Sequence, residues 1–119
     1  MSPESAVAAQ FKAYNEHDID AFVSCFAPDF KAYRMPAETP SMVGKETPSM
    51  VGKEALREFY VNNRFNNPEL RAELVSRTVL GNKVLDHELI HGLSAEPIES
   101  IAVFEVDNGL INTAWFFFR

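Results

Sequence analysis

The sequence predicts an α+β domain in which helices cover one face of a largely antiparallel sheet. Stretches with helical spacing of apolar residues lie before Pro68, whereas strand-like stretches follow one another after it. The two kinds of element do not alternate along the chain, which argues against a parallel α/β sheet. The 119 residues are enough for one domain with its own core, spanning residues 1–119.

Two helices are predicted at the start of the chain. The first begins at Ser2-Pro3-Glu4, where a hydroxyl cap, a proline in the first turn and an early acid are typical of a helix start. A break is expected at residues 15–17. Asp18 then caps a second, short helix, which should contain Phe26 in its apolar stripe and end at Pro28.

Five strands and a third helix account for the remainder of the chain. The first strand is predicted over residues 29–35, followed by a loop over 36–51 and the third helix over 52–64. Gly81-Asn82 and Asp107-Asn108-Gly109 are signals of tight turns between consecutive strands. The four later strands are predicted over residues 70–80, 83–91, 98–106 and 110–118.

The last strand, LINTAWFFF, is apolar on both faces near its end. Alternation divides its side chains between one face with Ile111, Thr113, Trp115 and Phe117 and another with Asn112, Ala114, Phe116 and Phe118. Three helices can cover one face of the sheet, so the other face needs a partner or remains an exposed apolar patch. We therefore expect a homodimer that packs through its sheets.

Composition and charge narrow the classes of partner and location. The net charge of −6 argues against nucleic acid and against anionic membranes. No apolar run approaches the roughly 20 residues that span a bilayer, and the N-terminal residues do not resemble a signal peptide. Cys25 is the only cysteine, which excludes an internal disulfide and fits a reducing compartment. We expect a cytoplasmic protein.

Four stretches resemble the SnoaL-like branch of the nuclear transport factor 2 (NTF2)-like superfamily: YNEHDIDAFVSCFAPDF, GKEALREFY, GNKVLDHELIHG and IAVFEVDNGLINTAWFF. The resemblance implies a cone in which three N-terminal helices close over a strongly curved mixed sheet and surround a mostly apolar pocket. It also implies a homodimer. The family includes ketosteroid isomerases, polyketide cyclases, epoxide hydrolases and dehydratases, so the resemblance implies a fold and leaves the activity undetermined.

The isomerase mechanism can be compared with this sequence residue by residue. It needs a carboxylate base and two hydrogen-bond donors for the enolate oxygen. With NEHDID and APDF as anchors, the family's catalytic tyrosine falls at Gln10, its base at Arg34 and its donor acid at Ala102. None of the three is retained. Tyr14 lies one turn from Gln10 and is expected to face another way, so the isomerase mechanism is not expected.

Residues 38–54 read ETPSMVGKETPSMVGKE, so the unit TPSMVGKE occurs twice in succession, over 39–46 and 47–54. In the family a single similar copy opens the third helix, so the first copy is surplus. Three interpretations are open: an enlarged surface loop, a flap over the pocket mouth, or a helix extended backward from Thr47 with Gly52 inside it. A glycine inside a helix costs about 1 kcal/mol, whereas a longer loop costs little, which favours the loop.

The densest polar cluster is Asp86-His87-Glu88 with His91. On a strand, Asp86 and Glu88 share one face and the two histidines share the other. The neighbouring apolar residues do not decide which face lies inside, and the resemblance favours the acids.

Two hypotheses fit the acids. The first is an acid–base site in which Glu88 or Asp86 is the base and Tyr14 or Tyr60 the donor. The second is a buried ion pair between Glu88 and Arg64.

The aromatic side chains either fill the core or surround a pocket. The predicted ligand-binding residues are Phe11, Tyr14, Phe26, Tyr33, Tyr60, Arg64, Glu88, Phe104 and Phe116. Binding of a small, mostly apolar molecule is the leading hypothesis. The alternatives are an acid–base isomerase, cyclase or dehydratase, and a structural or protein-binding module without a pocket.

Neither a metal site nor a cofactor is predicted. His87 and His91 would lie about 13 Å apart along a strand, which is too far for one ion. Cys25 lies beside Phe22 and Phe26, as is typical of a core cysteine rather than a nucleophile.

Overall fold

A computed structural model describes residues 2–35 and 50–119. Three helices precede four consecutive long strands, which confirms the predicted α+β class. The elements in chain order are α1 (Pro3–Glu16), α2 (Ile19–Ser24), β1 (Phe26–Met35), β2 (Met50–Val51), α3 (Lys53–Asn63), β3 (Arg71–Leu80), β4 (Lys83–His91), β5 (Ile98–Asp107) and β6 (Leu110–Phe118).

The described strands form one mixed sheet in the order β2-β1-β6-β5-β4-β3. β1 runs parallel to β6, and every other neighbouring pair is antiparallel. The tight turns predicted at Gly81-Asn82 and Asp107-Asn108-Gly109 join β3 to β4 and β5 to β6. The core lies between the helices and one face of this sheet.

The second helix is shorter than predicted. It ends at Ser24, and β1 already begins at Phe26, so Phe26 belongs to a strand and not to the helical stripe. Pro28, the predicted helix stop, lies inside β1, where the pairing with β6 is irregular between Phe26 and Lys31. An irregular ladder accommodates a proline because no regular hydrogen bond is lost there. Phe26 is nevertheless buried in the core.

The end of α1 is tied to the edge strand β3. The Asn15 side chain accepts a hydrogen bond from the backbone N–H of Ala72 at 2.7 Å and donates one to its carbonyl oxygen at 3.0 Å. His17, in the left-handed conformation at φ 55°, ends the helix, and its Nε2 donates to the carbonyl oxygen of Leu70 at 2.8 Å. The break predicted at residues 15–17 therefore falls at His17.

The predicted alternation along the last strand fails at its start. Val106 pairs with Ile111 and Glu105 with Thr113, which leaves Asn112 as an extra residue in β6. This bulge turns Ile111 to the helix-covered face, where Ile111 and Ala114 are fully buried. Phe117, on the opposite face, keeps 39% of its surface exposed. Within residues 2–35 and 50–119, this second apolar face is thus left partly exposed.

The repeat lies mostly outside the described residues, which resume at Met50. The predicted loop ends earlier than expected, because Met50–Val51 pairs with β1 as the short strand β2. Gly52, at φ 89°, precedes α3 as its N-cap, so the backward-extended helix is wrong. The loop and flap interpretations concern residues that the structure does not describe.

Within residues 2–35 and 50–119, no helix is both long and apolar enough to cross a membrane.

Candidate functional site

A cavity of about 550 Å³ lies between the helices and the sheet. Its walls are mainly aromatic and aliphatic, with polar groups from α1, α3, β1, β4 and β5. Seven of the nine predicted ligand-binding residues line it: Tyr14, Phe26, Tyr60, Arg64, Glu88, Phe104 and Phe116. Their role in binding stays a prediction.

Two predicted ligand-binding residues are placed elsewhere. Tyr33 lies on the opposite face of the sheet, stacked on Trp115 at 6.3 Å, because its neighbours Ala32 and Arg34 take the cavity side of β1. Phe11 is half-buried against the core, whereas Gln10 and Tyr14 occupy the cavity-facing side of α1.

The three positions aligned with the isomerase catalytic residues all lie on the cavity side. Gln10 and Arg34 line the cavity, and Ala102 is buried in the adjoining wall, where it pairs with Asp86 and Phe116. The expectation that Tyr14 would face away from Gln10 is wrong, because residues four apart share a helix face. Sequence reasoning missed Gln10 and Arg34 as wall residues because it judged them only as lost catalytic groups.

Asp86 is held in a buried ion pair. Arg77 on β3 donates from Nε to Oδ1 at 2.7 Å and from Nη2 to Oδ2 at 3.0 Å, and the Asp86 side chain is 1% exposed. The hydrogen bonds to Asp86 and the nearby carboxylate charge raise the pKa of Arg77. Because both of its oxygens are occupied, Asp86 is poorly suited to act as a base.

Glu88 is the acid that faces the cavity. Arg64, its predicted partner, instead donates to the carbonyl oxygen of Asn63 at 2.9 Å and lies 5.0 Å from the centroid of the Phe59 ring. No described residue forms an ion pair or hydrogen bond with the Glu88 carboxyl group. Burial, and secondarily the charge of Asp86, raises the pKa of Glu88 to about 7, with Arg77 partly opposing the shift.

Two buried phenols share this part of the cavity. The Tyr14 and Tyr60 rings pack edge to face at 6.2 Å. Burial is the main reason that the pKa of both phenols is raised, to about 12 for Tyr60. The charge of Glu88 raises both pKa values further. Both phenols are therefore neutral hydrogen-bond donors near an ionisable carboxyl group.

The histidines of the polar cluster lie on the other face of β4. His87 Nε2 is 2.7 Å from Glu99 Oε2, and His91 Nε2 is 3.0 Å from Glu73 Oε1. Among the residues that the structure describes, no group of three or more histidine, cysteine or acidic side chains is arranged to hold a metal ion. Cys25 is half-buried, and burial raises the pKa of its thiol.

The fold and the sequence agree on the family. Residues 7–113 match the SnoaL-like domain family. The chain belongs to this family.

Similar solved structures support the same fold. They include an uncharacterised cystatin-fold protein from Novosphingobium aromaticivorans, with 22% identity, a TM-score of 0.79 and coverage of 98% of this chain and 97% of that chain. An NTF2-like protein of unknown function from Burkholderia xenovorans has 16% identity, a TM-score of 0.75 and coverage of 98% and 81%. A proposed polyketide cyclase from Sinorhizobium meliloti has 21% identity, a TM-score of 0.74 and coverage of 94% and 93%.

At these identities the likeness concerns the fold alone, and the predicted NTF2-like fold is confirmed. No curated protein sequence matches the chain significantly.

Replacing Glu88 by glutamine should stabilise the protein increasingly as the pH rises from about 4.5 to 7. The native state retains a proton on Glu88 up to pH about 7, whereas the unfolded chain releases it near the ordinary pKa of 4.5. Unfolding therefore releases a proton in this window, and the contribution of Glu88 to stability falls by up to about 3 kcal/mol as the pH rises.

Denaturant unfolding at pH 4.5 and pH 8 measures this difference. Glu58→Gln, on the exposed side of α3, is the control and should show no such change with pH. An equal effect of Glu88→Gln at both pH values would contradict the assignment of a raised pKa.

Proposed function

We propose that the protein binds a small, mostly apolar molecule in the cavity between its helices and its sheet. The observation that supports this most directly is the size of the cavity, about 550 Å³, within the range of about 300 to 1,000 Å³ that is usual for ligand sites. A purely structural or protein-binding module would need no such space.

The polarity of the wall supports the same proposal. Phe22, Phe104 and Phe116 provide apolar surface, and a few polar groups from separate elements converge on the same space. Gln10 on α1 and Ser100 on β5 line the cavity and are otherwise buried. Sparse, convergent polar groups on an apolar wall orient a ligand without requiring that it be highly polar.

Native mass spectrometry of protein purified from its host tests the proposal. We expect a small-molecule adduct on the wild type and its loss in Ala72→Phe, because Ala72 lines the cavity and a phenyl ring there occupies ligand space. Val75→Phe adds the same ring on the same strand at an exposed position and should retain the adduct. A wild-type protein without adduct, or an adduct that survives Ala72→Phe, would contradict the proposal.

An acid–base reaction is the second candidate, favoured by the combination of Glu88 with two neutral phenols. Ionised Glu88 would remove a proton from a carbon next to a carbonyl group, Tyr14 or Tyr60 would donate a hydrogen bond to the enolate oxygen, and Glu88 would return the proton to another carbon. This sequence of steps describes an isomerisation. Cyclisation and dehydration use the same first step.

Deuterium exchange at the α-carbons of 2-tetralone, followed by NMR, separates catalysis from binding. The rate should rise through pH about 7 as Glu88 ionises. Glu88→Gln should lower it by at least about 100-fold. An exchange rate that is the same in the wild type and in Glu88→Gln would show that Glu88 is not the base.

A homodimer packed through the outer face of the sheet is proposed as the assembly. Leu85, Val103, Trp115 and Tyr33 form a continuous row across β4, β5, β6 and β1 on the face opposite the cavity. Within the described part of the chain, no helix covers this row. A sheet face of this kind is suited to a second apolar surface.

Sedimentation analysis tests the assembly. The wild type should sediment at twice the mass of the chain, and Trp115→Glu should sediment as one chain because it places a charge in the contact. Val61→Glu, on α3 at a position that is 41% exposed and belongs to the helix layer, should remain dimeric. A wild type that sediments as a single chain would eliminate the dimer.

We propose a cytoplasmic location, supported by the free thiol of Cys25 and the absence of a second cysteine in the sequence. Fractionation of the host cell tests this location. Recovery of the protein outside the cytoplasmic fraction would contradict it.

A further inference from the structure

The charge of the cavity wall is opposite to that of the whole chain. Three of the six arginines, Arg34, Arg64 and Arg119, line the cavity, whereas the net charge of the chain is −6. Glu88 is the only acid among the lining residues that the structure describes. Cationic groups on a partly enclosed apolar wall attract an anion more strongly than the same groups do in open solvent.

Arg34 is the arginine best placed to bind an anionic group. Arg34 is an exposed residue that lines the cavity, and its guanidinium carbon lies 4.6 Å from the centroid of the Phe118 ring. A cation–π contact with a ring does not use up the N–H groups of a guanidinium, which can still bind the two oxygens of a carboxylate. Within residues 2–35 and 50–119, no carboxylate forms an ion pair with Arg34.

The other two arginines already have partners. Arg119 forms an ion pair with Glu99 at 2.8 Å. Arg64 donates to the carbonyl oxygen of Asn63. Its charge lowers the pKa of Tyr14 and Tyr60, the same two tyrosines whose pKa the charge of Glu88 raises. A negative ligand group near Arg64 would therefore also lie in the field of Glu88.

Arg34 and Glu88 lie at opposite sides of the cavity wall. Arg34 is on β1 and Glu88 on β4, with β6 and β5 between them. Three strand spacings correspond to about 14 Å between their backbones. Phe116 and Phe118 on β6 and Ser100 on β5 line the intervening surface. An ionised Glu88 repels a carboxylate from its own side and favours the Arg34 side.

We propose that the ligand is an amphipathic carboxylate whose carboxylate group binds Arg34 and whose apolar body lies along Phe116 and Phe118 toward Glu88. This inference rests on the proposed function, because it names the chemical class of the ligand of the same cavity. It adds an orientation: the charged end lies at the C-terminal ends of β1 and β6, and any other polar group of the ligand meets Glu88, Tyr14 and Tyr60.

Calorimetric titration with 2-naphthoate and 2-naphthamide at pH 8 tests this inference. The two probes share ring and shape and differ in charge. We expect the wild type to bind 2-naphthoate about tenfold more tightly than the amide, as for one charge-assisted pair of hydrogen bonds. Arg34→Gln should bring the two affinities within about twofold, and Arg34→Lys should restore part of the preference because it restores the charge. Arg57→Gln, which removes an arginine that does not line the cavity, is the control.

Ala72→Phe distinguishes failure of this inference from failure of the proposed function. If both probes bind equally to the wild type and both are lost in Ala72→Phe, the cavity binds ligands and the carboxylate preference is overturned. If the preference is lost in Arg64→Gln and kept in Arg34→Gln, the proposed orientation is overturned. If binding is absent or unaffected by Ala72→Phe, the proposed function and this inference are both overturned.

Discussion

The helix layer is tied to the sheet at both edges, and the cavity depends on this constraint. At one edge, the Asn15 side chain forms two hydrogen bonds with the backbone of Ala72 on β3. At the other, β2 pairs with β1, and the backbone N–H of Gly52, where α3 begins, donates to the carbonyl oxygen of Phe30. Backbone groups bonded in this way hold the helix layer at a set distance from the sheet. The helices therefore cover the middle of the sheet and leave the cavity between the two layers.

The aromatic rings around Phe22, on the helix side of the cavity, hold one another in place. Phe22 contacts Tyr14, Phe26, Tyr60 and Phe65 with centroid separations from 4.7 to 6.2 Å. Tilted and edge-to-face contacts of this kind favour particular ring orientations in addition to burying apolar area. The phenol groups of Tyr14 and Tyr60 are thereby positioned by packing on the helix side of the cavity.

Two acids on the same face of β4 illustrate how position decides chemistry. Asp86 meets Arg77 directly across the ladder, and the pair is stabilised by two charge-assisted hydrogen bonds. Glu88, two residues further on, lies opposite Leu74 and Ser100 and has no cation beside it in the ladder. One carboxylate is therefore part of the scaffold, and the other is an ionisable group on the cavity wall.

Sequence patterns alone were enough to predict the three helices, the five long strands, the tight turns between the later strands and the family, but not the short strand β2. The Arg77–Asp86 pair was not predicted, although counting back from the Gly81-Asn82 turn places these residues opposite each other. Periodicity and turn chemistry are local properties, so they can be read from neighbouring residues.

Tertiary structure decided which local patterns were interrupted and which side chains share the cavity. The bulge at Asn112 turned Ile111 inward, the irregular ladder near Pro28 admitted a proline into β1, and alternation on β1 directed Arg34 inward and Tyr33 outward. The parallel pairing of β1 with β6 brings Arg34 beside Phe118, 84 positions away in the chain. Such proximities depend on how distant strands pair, which no local pattern of residues specifies.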